Sequence, residues 1–311
     1  MNFMRPTLLT EPEKITFLPK PQKVALIEDP LKNEFQLNSL ANIQLATIII
    51  ESAGDNQYNT EQRLQTLKTI VTSLITQHLE NGIIVFPARM FYTHDKPPSS
   101  IYPQIESAVA SYLASTGKKI IICFGIDGSL DPEEYARDQI AVAIDRSGIV
   151  ALGRKFYPAK AERGHVNLAE NFNAPEEGKS RIFKFGNASY YLAMCYDSFG
   201  IKNQNIKNPG VNAILEFVHC FYPKGQGPSG EAYFARHGFA GASRQWACPV
   251  FGTAVFFNRK VPERWPTGVI WNQGSMSTTH WNYDLNPLKP VNIINQKIAE
   301  GNAVIRLFSL T

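Results

Sequence analysis

The residue whose position most invites chemistry is Cys195. It closes the run Tyr190-Tyr-Leu-Ala-Met194, and Tyr196-Asp-Ser-Phe-Gly200 follows with turn formers. Aromatic, aliphatic and small residues up to Met194 suit a buried strand, which puts the thiol at a strand end. Side chains fixed at a strand end are where open α/β sheets keep their chemistry, and a thiolate there is a nucleophile. The plainer alternative is a structural cysteine, since free cysteines are often buried for packing alone. Cys123, Cys220 and Cys248 are widely spaced, with no Cys-x-x-Cys pair and no metal-ligand spacing to the six histidines. A reduced compartment without disulfides, structural zinc or other metal is therefore expected. His219-Cys220 also ends a strand, but neighbours on an extended chain point to opposite faces, so these two are not expected to act on each other.

The elements that must position the thiol follow from periodicity. Residues 1–40 are rich in Pro, Lys and Glu and read as an extension over the surface of a domain spanning 41–311. Ile43–Ile50 is a β-branched run typical of a strand covered on both faces. Asn59 with Gln62 three positions on forms a capping box, opening a helix through Leu64, Leu67, Val71, Leu74, Ile75 and His78 to Asn81-Gly82, with His78 partly buried. Strands follow at Ile83–Phe86 and Lys118–Phe124, separated by a helix over Pro103–Thr116 that stops on Gly117. Gln139–Ile144 and Ile149–Leu152 flank the hairpin signal Arg146-Ser-Gly148. Ile182–Phe185, Asn212–Val218 and Val250–Phe257 are further strands, and Gly230–Trp246 is a helix. Strands alternating with helices early and hairpins in the middle make an α/β fold with a mixed sheet.

At 311 residues and 44% apolar content the chain can bury a large core, and its formal charge of +4 is dispersed. Nucleic acid is not an expected partner. With no signal-like N-terminus and no run of about 18 apolar residues, a cytoplasmic protein without a membrane partner is expected.

Three stretches in order resemble the site motifs of the nitrilase superfamily of carbon-nitrogen hydrolases: Val85-Phe86-Pro87, Gly153-Arg-Lys155-Phe-Tyr-Pro158 and Met194-Cys195-Tyr-Asp197. Ala242-Ser-Arg244-Gln-Trp-Ala247, the strand ending at Asn258, and Gly274-Ser275-Met276 extend the likeness over roughly residues 41–308. The resemblance implies an α-β-β-α sandwich that pairs into a four-layer dimer, a small amide, carbamoyl or nitrile substrate, and no cofactor. It makes Cys195 the nucleophile, Lys155 the cation that steadies the oxyanion, and Glu162 an orienting carboxylate.

One position departs from the pattern. Directly after Phe86-Pro87, where the family has its general-base glutamate, stands Ala88. A methyl group moves no proton, and positioned proton transfer contributes about 10² to 10⁴ in rate. Either another group substitutes, with Glu162, His94 and Asp95 the candidates, or the site is impaired, or the alanine is engineered. The expected function is thus a thiol-dependent hydrolase of non-peptide carbon-nitrogen bonds, the alternative an inactive binding or scaffolding protein on the same fold. Tyr157, Tyr196 and His219 are the expected substrate-binding residues, with Tyr190, Phe221, Tyr222, Phe234 and Trp271 as further candidates for a pocket wall. The loop Cys220–Gly230 is a candidate cover.

Overall fold

The computed structural model describes residues 40, 43–54, 59–94, 96–131, 136–227, 230–270 and 288–310. The first strand, β1 (Ile43–Ser52), is paired throughout and buried on both faces. Helix α1 (Thr60–Thr76) opens on the expected capping box, in which the Asn59 side chain accepts from the Gln62 N–H and Gln62 from that of Asn59. It ends earlier than periodicity suggests. Gln77 closes it, and His78 is an exposed residue at φ +67° that turns the chain so that Leu79, not His78, enters the core. Then come β2 (Asn81–Val85), the two-residue β3 (Phe91–Tyr92), and α2 (Tyr102–Thr116), closed by Gly117 in the left-handed region. The hairpin strands are longer than sequence implies: β4 (Lys119–Asp131), β5 (Ala136–Asp145) and β6 (Gly148–Arg154).

After the short β7 (Val166–Asn167) lie β8 (Ile182–Phe185), β9 (Ala188–Met194) and α3 (Asp197–Asn203). Residues read as a turn therefore begin a helix. Gly200 fits within it because Tyr157 packs directly on its backbone, where an added Cβ would stand 2.6 Å from the Tyr157 Cβ. Strand β10 (Ala213–Phe221) precedes a helical stretch that is not uniform. It comprises α4 (Glu231–Tyr233), a π-helical turn over Phe234–Phe239, and α5 (Ala240–Trp246). The chain ends with β11 (Val250–Phe257), β12 (Gly268–Val269), β13 (Asn292–Ile298) and β14 (Gly301–Leu310).

The strands run in the order β6-β5-β4-β2-β1-β11-β10-β9-β8. Strand β1 joins the two halves: Gln44–Thr47 pair with β2, Ile50–Ser52 pair with β11, and β14 lies antiparallel along its length. The halves fold face to face. Between them pack Leu45, Ile83, Val85 and Ile121 from one side and Tyr190, Leu192, Leu215, Phe217 and Phe251 from the other. The outer face of the first half is covered by α1 and α2 through Leu64, Leu67, Ile70, Val109 and Leu113. That of the second is covered by Phe199, Phe234, Phe239 and Trp246 over Tyr191, Ile214, Val250 and Phe256. The architecture is an α-β-β-α sandwich, nearly barrel-like, as the α/β reading anticipated. Of the extension assigned to residues 1–40, only Leu40 is described, and it is buried between the sheets. Asp95, Trp271 and Gly274-Ser275-Met276 lie outside the described residues.

Candidate active site

Cys195 sits between β9 and α3 with φ +53°, a left-handed conformation unusual for a residue with a side chain. Its N–H donates to the Phe217 carbonyl at 2.8 Å, which ties the strained turn to β10, and the residue is 7% exposed. The elbow is locked from below by Asp197, at 0% exposure. Its Oδ2 accepts from the Met194 N–H at 3.0 Å and from Arg181 Nη1 at 3.3 Å, and its Oδ1 accepts from the N–H groups of Phe156 (2.8 Å) and Tyr157 (3.0 Å). Asp197 bonds nearby backbone as a turn aspartate does, but it also reaches the loop after β6. That loop carries Lys155, so one carboxylate fixes the thiol and the lysine in a common frame. Arg181, equally buried, lies against the Phe156 and Tyr191 rings and donates to the Tyr191 hydroxyl at 2.8 Å and to the Arg154 carbonyl.

Lys155 is fully buried, unlike a solvated surface lysine. Its Nζ donates to Glu162 Oε2 at 2.6 Å and to Gln139 Oε1 at 2.9 Å. Burial opposes its charge, but Cys195 and Glu162 together carry the ammonium above its ordinary value, so it is a cation at neutral pH. Glu162 closes a 3-10 turn over Lys160–Glu162 and accepts also from the Ala159 N–H at 2.7 Å and Gln139 Nε2 at 3.3 Å. Burial works against its ionisation too, but Lys155 outweighs it and holds the carboxyl below its usual range. It is a carboxylate committed to the lysine.

His219 and Asp127 meet at the same place. His219 Nε2 lies 3.1 Å from Asp127 Oδ1, and their side chains are 16% and 8% exposed. Burial lowers the affinity of His219 for a proton, while Asp127 and Cys195 raise it further, to about 10, so the ring is an imidazolium at pH 7. The hydrogen-bond partner of His219 is thus not its neighbour Cys220 but Asp127 of β4, and the ring stands two residues beyond Phe217, where the β9–β10 pairing ends. Glu216 is also close: at 0% exposure, neither carboxyl oxygen has a well-formed hydrogen bond. Burial first, then the nearby Asp197 and Cys195, push it well above the carboxylate range, so it is a neutral acid.

The other expected residues distribute as follows. Tyr196 stacks on Phe199 with centroids 4.7 Å apart, and the Lys155 ammonium lies 6.0 Å from its ring centroid. Tyr157 packs against α3, its hydroxyl accepting from Asn203 at 3.3 Å. Tyr190 is buried between the sheets on Phe183, so it walls no pocket. Phe221 and Phe234 belong to the aromatic cluster under the helices, and Tyr222 stacks on Phe257. Ala88 is fully buried with the inter-sheet residues, its Cα facing Gly125. His94, weighed as a substitute acid, is exposed against the edge of Tyr92.

Asp127, Gln139, Arg181 and Glu216 escaped sequence reasoning. Glu216 left a signal, a lone acid inside the apolar run Ala213-Ile-Leu-Glu-Phe217. Among the described residues no cluster of three or more His, Cys, Asp or Glu side chains is arranged to hold a metal ion, and no helix is long and apolar enough to cross a membrane.

No protein-family profile matches the chain, and no curated protein matches it by sequence. Its backbone is nonetheless similar to that of a nitrilase-superfamily amidase from Nesterenkonia, solved as a cysteine-to-serine mutant. The identity is 12%, the TM-score 0.52, and 86% of this chain and 91% of the amidase are covered. A double mutant of the same amidase in complex with acrylamide aligns at 12% identity and TM-score 0.52, over 86% of this chain and 90% of the amidase. A third form, in which acrylamide has added to the active-site cysteine, gives 12% identity and TM-score 0.50 over 85% and 92%. At that identity the likeness is one of fold: the chain carries the fold of nitrilase-superfamily carbon-nitrogen hydrolases.

Proposed function

We propose that the protein is a thiol-dependent hydrolase of non-peptide carbon-nitrogen bonds, acting on a small amide, carbamoyl or nitrile substrate through a thioester or thioimidate on Cys195. One observation carries the reading: Asp197 ties a strained, barely accessible thiol into one frame with a buried ammonium that Glu162 and Gln139 hold in place. A buried cation favours the thiolate and stabilises oxyanion charge as it develops. Lys155 fills that role, Glu162 orients it, and Tyr196, stacked at the opening of α3, borders the substrate. The fold shared with amidases supports the same class. The protein acts as a homodimer in this reading, which light scattering checks.

The test is ammonia release from a panel of small amides, carbamoyl compounds and nitriles. Turnover in the protein that disappears in Cys195→Ser is the expected result. Binding of panel compounds, seen as a raised Tm without product, would replace this reading with a binding protein on a hydrolase fold.

A further inference from the structure

We infer that His219, oriented by Asp127, is the group that moves protons at Cys195, occupying chemically the role vacated at Ala88. The inference deepens the hydrolase reading and rests on it for the identity of the substrate only. Three independent features converge on it.

The first is topology. Asp127 lies on β4 in one half of the sheet and His219 on β10 in the other, 92 residues apart, yet their side chains are in contact. On β4, Ile121 and Cys123 face the inter-sheet core, and Asp127 continues that alternation. The second is a break in β10. Ala213, Leu215 and Phe217 face between the sheets and Ile214 and Val218 face the helices, but Phe221 also faces the helices, three residues after Val218. The parity changes at an irregularity in the β10–β11 register between Phe217 and Cys220. Bulges re-aim side chains next to active sites, and this one contains His219. The pairing of β9 with β10 ends at Met194 opposite Phe217, so His219 projects just beyond the strand end that carries the thiol.

The third is elimination among acids. Glu162 is held ionised by Lys155 through a 2.6 Å contact, and Ala88 contributes only a methyl group. Among the described residues Glu216 remains as the rival and enters the test.

The chemistry balances. At rest the thiol proton resides on the ring, so a thiolate stands beside an imidazolium. Sulfur attacks the carbonyl carbon, an S–C bond forms, and the carbonyl pair moves to oxygen near Lys155. As that adduct collapses the C–N bond breaks and the departing nitrogen receives the imidazolium proton. Imidazole then takes a proton from water, whose oxygen attacks the thioester. The S–C bond breaks, the acid leaves, and thiolate with imidazolium is restored.

The experiment needs no substrate. Iodoacetamide alkylation of Cys195 is followed by peptide mass spectrometry in the full chain, in His219→Asn, Asp127→Asn and Glu216→Gln. Cys220, whose thiol burial pushes up to about 11, is the internal comparator. His219→Asn is expected to slow alkylation of Cys195 at pH 7 by about tenfold or more, Asp127→Asn by several-fold, and Glu216→Gln by less than about twofold. Unchanged rates in the His219 variant, or a loss confined to Glu216→Gln, overturn the inference. If His219→Asn does not fold, NMR of the labelled imidazole in the unaltered protein decides. An imidazolium at pH 7 that loses its proton more readily in Cys195→Ser is expected, and a ring indifferent to Cys195 overturns it. Alkylation that depends on His219 without any turnover sinks the hydrolase reading alone, whereas turnover that survives His219→Asn sinks the relay alone.

Discussion

Lys155 shows what burial does to a side chain that would ordinarily be solvated. An ammonium at 0% exposure is stable only if its donors are satisfied, and Glu162 and Gln139 satisfy two of them. Lys155→Met therefore removes the positive charge beside the thiol and leaves Glu162 a carboxylate without its principal partner. Turnover is expected to fall by about 10² to 10³, as for loss of an oxyanion-stabilising donor. Urea unfolding of the same variant is expected to show a loss of about 1–3 kcal/mol. A kcat loss without a matching rise in KM would mark the lysine as acting in the transition state, and an effect on KM alone would count against that role. Legibility also divides at this scale. Cys195, Lys155 and Glu162 were put forward by the resemblance, and of these Lys155 and Glu162 are in direct contact. Asp127 was not, because Gly125-Ile-Asp-Gly128 reads as a turn after an apolar strand. Pairing with β5 instead continues the strand through it to Asp131. Alternation separates His219 from Cys220, as found, but gives no sign of the bulge or of the contact with Asp127.

Among elements, α3 and the loop after β6 are held as a unit by Asp197. Its pair with Arg181 is fully buried, and breaking such a pair by removing one charge costs about 3–5 kcal/mol. Asp197→Asn is expected to destabilise by that amount in urea, and to slow Cys195 alkylation even where the protein remains folded, because the elbow loses its tie to Lys155. A loss below about 1 kcal/mol would refute the role. Helix α1 is a control distant from the site: Asn59→Ala removes the N-cap acceptor and is expected to cost about 1 kcal/mol with alkylation of Cys195 unchanged. The sequence signals were strong for the start of α1, where the capping box meets an apolar stripe, and for the end of α2, where the stripe stops on Gly117. Gly230–Trp246 was legible as helical but not as π-helical in its middle. That wider turn depends on tertiary packing, since Gly238 lies against Phe199 and Ser198 of α3.

For the whole molecule, the buried charges make stability depend on pH in opposite directions at the two ends of the scale. Glu162 is held below its ordinary value of 4.5, so it contributes stability that is present above that value and is lost as pH falls through its folded value. His219 is raised from 6.5 to about 10, so its contribution is full below 6.5 and declines as pH rises towards 10. The groups facing it are Asp127, Cys195 and Glu162. Thermal melts between pH 6.5 and 10 are expected to show a smaller decline in His219→Asn than in the unaltered protein, and equal declines would contradict the assignment. The mixed sheet layered with helices was foreseeable from strands apolar on both faces, and the sandwich was what the resemblance implied; the two sides of the strands proved to be the core between the halves and the helix layers. That β1 serves both sheets was not, because which strands share an edge is decided by long-range pairing.

The bridge from Asp127 to His219 joins one sheet to the other, so it exists only at one separation of the two. The thiol is in effect a gauge of that separation. A slight parting of the layers that leaves every strand paired would silence Cys195 before circular dichroism registered any change. Alkylation measured along a urea series is therefore expected to lose its enhancement at a lower concentration than the loss of secondary structure.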